Sequence, residues 1–253
     1  MPDILLETHS LRKAFGALVA VDDVSIQVQT GTIHSIIGPN GAGKTTFFNL
    51  LSGNLEPTAG KVIYKGKDIT RLPLHRSAHI GIGRSFQITN LFPNLTALEN
   101  VRLACQALGK DNFRFLQPAG HFKQYEQRAW AILQQVGLSE RALMPARTLP
   151  HGDQRKLELG IILAANPELL LLDEPTAGMA AEQVPELMAL IKQIQTSGAK
   201  TVVLVEHNMN VVMSVSDRIT VMHQGQVLAE GTPAEIAANA TVQQAYLGGL
   251  YEL

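Results

Sequence analysis

Apolar and polar positions in the first part of the chain fall into short runs separated by Gly and Asp turns. LLETHSL (Leu5–Leu11), AVDDVSIQV (Ala20–Val28), TIHSIIG (Thr32–Gly38) and GKVIYKG (Gly60–Gly66) each predict a strand, and the Lys-Thr-Thr stretch at 44–46 interrupts them with a helix. From Asn90 to Ala165 the pattern changes to Leu, Ala, Gln and Arg at helical spacing, as in QYEQRAWAILQQVGL (Gln124–Leu138), which predicts a helical subdomain. Two continuous apolar runs that end in polar residues follow, ELLLLDEP (Glu168–Pro175) and KTVVLVEH (Lys200–His207). Between them EQVPELMALIKQIQTSG (Glu182–Gly198) reads as a crossover helix closed by Gly198, so a right-handed parallel strand–helix–strand unit is expected. In the last segment, Arg218 to Leu253, a hairpin is predicted at Gln224-Gly225 and a helix opened by Thr232-Pro233.

Bulk properties narrow the function classes. At 253 residues the chain suits one domain carrying a subdomain better than two unrelated domains. Lys and Arg number 21 against 22 Asp and Glu, so no strong basic field recruits nucleic acid or anionic lipid. The single cysteine, Cys105, excludes an internal disulfide and a cysteine-rich metal site. The N-terminal MPDILLETHSLRKAF has acidic residues early and no apolar core of signal length. The richest apolar stretch is broken by Asn166, Pro167 and Glu168 well short of a membrane span, so a cytoplasmic chain is expected.

The polar ends of the predicted strands carry the chemistry. Gly38, four further residues and Gly43-Lys44-Thr45 form the P-loop pattern, and it follows an apolar strand and opens a helix as phosphate binding requires. Glycines let backbone N–H groups wrap a phosphate, the helix N-terminus adds positive potential, Lys44 neutralises the outer phosphates and Thr45 can ligate Mg²⁺. A buried parallel strand ending in Asp173 and Glu174 delivers two carboxylates to its C-terminal edge, where open α/β sheets bind ligands. Asp173 suits a Mg²⁺ shell, and Glu174 suits a general base that deprotonates the attacking water. His207 ends the neighbouring apolar run and could stabilise the terminal phosphate or hold that water.

In this order the motifs resemble the ATP-binding cassette family over nearly the whole chain. GPNGAGKTT is similar to that family's Walker A, which implies that Gly38, Pro39, Asn40, Gly41, Ala42, Gly43, Lys44, Thr45 and Thr46 cradle ATP. LLLLDEP is similar to its Walker B with the catalytic glutamate, and VEHNM to its switch-histidine segment. Gln87 in GRSFQ matches the glutamine that senses Mg²⁺ and touches the membrane subunit, and Phe15 matches the aromatic that stacks on adenine. The resemblance implies an α/β fold: a P-loop NTPase core with an N-terminal antiparallel β subdomain and an inserted α-helical subdomain. One domain over 1–253 is expected, with 1–89 and 166–230 as nucleotide-binding core and β subdomain, 90–165 as helical subdomain including the signature, and 231–253 as C-terminal helical tail.

Two segments depart from the family. Where the signature is usually Leu-Ser-Gly-Gly-Gln, this chain reads LPHGD, keeping Leu149 and Gly152. In the family this segment caps a helix facing the ATP held by the other subunit. Pro150 lacks the serine hydroxyl and a backbone donor, and His151 could supply a replacement. Met179-Ala180 stands where the family has Leu-Asp, a pair that communicates between the two sites. Lys44, Asp173, Glu174 and His207 all remain.

GIGRSFQITNLFPNLTALENVRLA, the GDQR tail, VEHNMNVVMSVSDRI and AYLGG resemble the branch that powers importers of branched-chain amino acids and related solutes such as amides and urea. That resemblance implies integral membrane permease subunits, a second ATPase subunit forming a homo- or heterodimer, and an external solute-binding protein that this chain does not touch. It also implies a peripheral place on the inner face of the plasma membrane, with no nucleic acid partner. Two other classes stay open: a soluble cassette ATPase acting on nucleic acid or ribosomes, and a nucleotide-sensing module without turnover.

Overall fold

The structure, a computed structural model, describes residues 3–85, 91–107, 109 and 123–247. Two sheets organise it. The antiparallel sheet is built from β1 (Ile4–Phe15), β2 (Leu18–Val24), β3 (Gln27–Gln29), β5 (Ala59–Tyr64) and β6 (Lys67–Asp68), ordered β2-β1-β5-β6 with β3 also on β1. The second sheet contains β4 (Ile33–Ile37), β7 (Ile82–Arg84), β8 (Leu169–Asp173), β9 (Thr201–Val205), β10 (Arg218–His223) and β11 (Gln226–Gly231). Its order is β11-β10-β4-β9-β8-β7, parallel throughout except for β11. The P-loop NTPase core, its antiparallel sheet and its helical layer are therefore present as the sequence predicts.

The run of four leucines in β8 shows why its pattern is continuous. Side chains alternate across a strand, so Leu170 and Leu172 enter one core with α3 (Ala97–Ala107), α4 (Lys123–Gln135), α5 (His151–Leu163) and α6 (Val184–Gly198). Leu169 and Leu171 enter the other core, with α1 (Lys44–Leu51) and the antiparallel sheet. All five residues of β8 and of β9 are buried, as expected of parallel strands covered on both faces. Each such leucine contributes on the order of 2 kcal/mol by burial. A smaller cluster of Ile37, Val212, Ile219, Val221, Ile236 and Val242 seats α7 (Met209–Val215), α8 (Pro233–Ala238) and α9 (Ala240–Leu247) against β10. The short α2 (Leu74–Ser77) leads into β7. Among the described residues no helix is long and apolar enough to cross a membrane.

Several turns follow from their residues. Gln224 and Gly225 both take positive φ, 49° and 81°, the two-residue hairpin turn whose twist matches its strands. Thr232 and Glu235 form a reciprocal capping box with Pro233 in the first turn of α8. Two expectations need correction. AVDDVSIQV is not one strand but β2 and β3, separated at Ser25 and Ile26 just past the irregularity in β2 where Asp23 takes the left-handed region at φ 53°. Aspartate tolerates that conformation better than most residues. Gly198 does not close α6 as a left-handed cap either. It is the last helical residue, and Ala199 takes the left-handed turn at φ 46° while Lys200 N–H bonds back to Gln195 O at 3.1 Å.

Candidate active site

The loop between β4 and α1 is forced to be glycine-rich by what packs against it. A Cβ on Gly38 would stand 2.2 Å from Met222 O, and one on Gly43 would stand 2.3 Å from Ala20 O, with φ of 156° and 94°. The loop is thus held between β2 and the end of β10. Gly43 caps α1 without any side-chain bond, so the first-turn N–H groups of Lys44, Thr45 and Thr46 point out of the helix unsatisfied by it. Pro39 lies half-buried, Asn40, Gly41 and Thr45 are exposed, and Ala42 is buried. Lys44 is only 5 % exposed and curls back to donate to Gly38 O at 2.7 Å and Pro39 O at 3.0 Å. Burial holds its ammonium below the ordinary lysine range, and the charges of Glu174 and Asp173 oppose that shift. An ammonium has three donors, so one remains for an incoming anion.

β8 and β9 end beside this loop. Burial, with the charge of Glu174 next, pushes the Asp173 carboxyl up to about 6, against the pull of Arg84, His207 and Lys44. Its Oδ1 is buried without a hydrogen-bond partner, while its N–H donates to Ser85 Oγ at 2.9 Å. Such an orphaned anionic oxygen fits a hard divalent cation. Among the described residues no trio of His, Cys, Asp or Glu is placed to hold a metal by itself. The orphaned Asp173 oxygen would give Mg²⁺ one of its oxygen ligands.

Glu174 stands in the left-handed region at φ 47°, immediately before Pro175. A non-glycine residue there costs about 1–2 kcal/mol, and its N–H is fixed on Val205 O at 2.9 Å. This backbone aims the side chain across to β9, where Glu174 Oε1 meets His207 Nε2 at 2.5 Å. The site therefore joins a phosphate-sized N–H nest, a lysine, two carboxylates and a histidine at one sheet edge. This set can hold a polyphosphate, order a water and accept its proton.

The other predicted residues lie around this edge. Phe15 is exposed at the end of β1, with Lys13 Nζ 5.2 Å from its ring centre. His151 and Gly152 begin α5, where His151 lies against Gly178 and Gly152 against Gln183. Gln87 falls outside the described residues. Sequence reasoning missed Arg84, Ser85, Thr176 and Glu206. Arg84 stacks on Phe48 at 5.1 Å and donates to Asn49 Oδ1 at 2.5 Å and to Ser52, tying β7 to α1. Glu206 accepts from Thr176 and His207. Its only sequence signal is a carboxylate placed directly after an apolar strand.

An apolar cavity of about 420 Å³ opens between α2, β7 and α5, lined by Leu74, Ala78, Ile82, Ile161 and Ile162 and reaching Ser85.

Comparisons with known proteins follow the same lines. The profile of a family described as ABC transporter matches residues 21–177, and that of the branched-chain amino acid ATP-binding cassette transporter matches residues 226–251. The high-affinity branched-chain amino acid transport ATP-binding protein BraF of Pseudomonas aeruginosa is 42% identical over 249 residues, covering 96% of this chain and 98% of its own. The ADP conformation of MJ1267, an ATP-binding cassette of an ABC transporter, superposes with a TM-score of 0.86 at 31% identity, covering 97% of this chain and 99% of that one. A dimeric post-hydrolysis state of the cassette MJ0796 bound to ADP and Pi gives 0.76 at 29% identity, with 90% and 99% covered.

Proposed function

This chain belongs to the ATP-binding cassette family of transporter ATPases, and from that premise we propose that it powers an importer of branched-chain amino acids or related small solutes such as amides and urea. The observation that carries the hydrolytic half is the convergence of Lys44, Asp173, Glu174 and His207 on one sheet edge, with Glu174 and His207 in contact at 2.5 Å. The solute class is supported by the branched-chain match at residues 226–251 and by the likeness to BraF.

In this reading the N–H groups of residues 38–46 and Lys44 hold the phosphates of ATP, and Phe15 stacks on adenine. Thr45, Gln87 and Asp173 would hold Mg²⁺, which would supply neutralisation of phosphate charge. Glu174 accepts the proton of the attacking water, and His207 orients Glu174 and reaches the terminal phosphate. His151 and the N-terminus of α5 at Gly152 face the nucleotide of a second ATPase subunit. Closure of the two subunits drives transport only if ATP favours the closed pair over the open one.

The membrane partner is a pair of permease subunits, docked on the apolar cavity that reaches Ser85, with Gln87 assigned to the same contact by its motif. An external binding protein delivers solute without touching this chain, which sits peripherally on the inner face of the plasma membrane. A net charge of −1 gives no support to a nucleic acid partner. Purifying the tagged chain from gently solubilised native membranes tests this. Multi-span permease subunits in the eluate, with MgATP hydrolysis that rises when a branched-chain amino acid and its binding protein are added, are expected. Ribosomal or DNA-processing proteins without a permease would overturn the importer reading.

A further inference from the structure

The ends of β8 and β9 are joined by a side chain that has no role in the scheme above. Asp173 and Val205 are the last register pair of the two strands, and Glu174 N–H to Val205 O at 2.9 Å is the backbone bond just beyond it. After it the carboxylate of Glu206 takes over the joining. Its Oε1 accepts from Thr176 N–H at 3.1 Å and from the Thr176 hydroxyl at 2.6 Å, and its Oε2 accepts from His207 N–H at 3.2 Å. Glu206 is only 3 % exposed. A buried carboxylate is costly without compensating partners, and a fold that merely needed to fill this space would be served by a neutral side chain. Here three donors from two different loops compensate it.

We propose that Glu206 is a positioning residue for hydrolysis, one that holds Glu174 and His207 in their contact. It fixes the backbone of His207 from one side and of Thr176, two residues beyond Glu174, from the other. The strained turn at Glu174 lies between the Val205 bond and the Thr176 bonds, so the direction of its side chain is set at both ends. Release of Thr176 frees that turn to relax out of the left-handed region, which swings the carboxylate away from the water it would deprotonate. The P-loop shares none of these bonds, so the larger part of nucleotide affinity, which the loop supplies, is independent of them. The proposal rests on the roles given above to Glu174 and His207.

A double-mutant cycle in the full chain within its native complex tests it, with MgATP hydrolysis measured across ATP concentrations. Glu206→Gln is nearly isosteric and keeps an acceptor for Thr176, but turns an amide donor on the His207 N–H. Glu206→Ala removes all three bonds. Each variant should lower kcat by roughly 10-fold or more. The KM for ATP should stay within about threefold, since only the transition-state arrangement is disturbed. In a His207→Ala background, adding Glu206→Gln should change kcat by less than about twofold, because the residue acts through the pair. A wild-type kcat in Glu206→Gln overturns the proposal, and so does an equal loss in both backgrounds or a rise in KM with kcat kept. His207→Ala alone at the wild-type rate would instead sink the underlying hydrolytic reading, a result distinct from failure at Glu206. Should Glu206→Ala not fold, the Gln variant alone decides.

Discussion

Asp173→Asn should make the protein more stable in the absence of nucleotide and Mg²⁺ while destroying its function. The reasoning starts from burial. Asp173 is 6 % exposed, and its carboxyl is raised from 3.8 to about 6. An acid whose pKa is raised in the folded state binds its proton more tightly there than when unfolded, so stability falls as pH climbs from about 4 to 6. Above that window the full penalty is present. A rise of roughly two units at 1.36 kcal/mol each gives about 3 kcal/mol. Asparagine removes the charge, and the figure is an upper one because its amide hydrogens need partners of their own. For a domain of this size each kcal/mol moves the melting temperature by about 2–4 °C, so Asp173→Asn should melt roughly 6–12 °C higher at pH 7.5 with EDTA present. The gap should shrink to about half near pH 5 and to a small remainder near pH 4, where the folded-state carboxyl is protonated and the unfolded-state one partly so. With MgATP added, the wild type should gain stability by ligand linkage and the variant much less. Equal melting at pH 7.5, or a gap undiminished at pH 4, would refute the assignment of Asp173 as a buried charge awaiting a cation.

Other expectations can be checked separately. Glu174→Gln should retain ATP binding and lose turnover by roughly 10²-fold or more, and normal turnover would remove Glu174 as the base. Gly43→Ala places a Cβ 2.3 Å from Ala20 O at φ 94°, so titration with a fluorescent ATP analogue should show at least about tenfold weaker binding. Gly41→Ala meets open space at φ 80° and should show only a strain cost of about 1–2 kcal/mol. His34 is fully buried, and burial, with Arg218 adding, lowers its imidazole from 6.5 to about 4. Its contribution of about 3 kcal/mol is present above pH 6.5 and lost as pH falls toward 4, opposite in slope to Asp173. The two slopes oppose each other over this range, so Asp173→Asn should show a steeper rise of stability with pH than the wild type in urea titrations. A flat Asp173→Asn profile would count against the buried His34 reading.

What was legible in the chain was whatever depends on local order. Continuous apolar runs gave β8 and β9 with their polar ends, because a strand buried on both faces leaves no polar positions except where it stops. The spacing of Gly38, Gly43 and Lys44 marked the nest, because backbone approach to phosphate tolerates few other residues. Arg84 and Glu206 were illegible for the opposite reason. Their partners, Asn49 and Ser52 for one and Thr176 for the other, lie about 30 residues away in sequence. The left-handed turn at Glu174 was hidden too, since nothing in Asp-Glu-Pro announces a positive φ for a glutamate.

The segment in the place of the family's signature keeps a helix N-terminus although its side chains differ from the family's. Asp153, at the position of the family's glutamine, is 8 % exposed and pairs with Arg141 and, at 3.5 Å, with Lys156. Lys156 in turn reaches Glu186 of α6 at 2.6 Å. This side chain fastens the first turn of α5 inward, and its charge is balanced there rather than presented outward. Pro150 stands as the cap residue before the helix, where an N–H is not required by the helix ladder. The backbone N–H groups of His151 and Gly152 belong to the first helical turn, which has no intrahelical acceptors for them. The substitutions have thus removed side-chain donors while leaving the helix N-terminus, which is the part that attracts a phosphate through its dipole and N–H groups. Gly152 packs close to Gln183, and a Cβ there would stand 3.0 Å from the Gln183 side-chain oxygen. That packing, with His151 against Gly178, places the start of α5 beside the segment that follows Glu174.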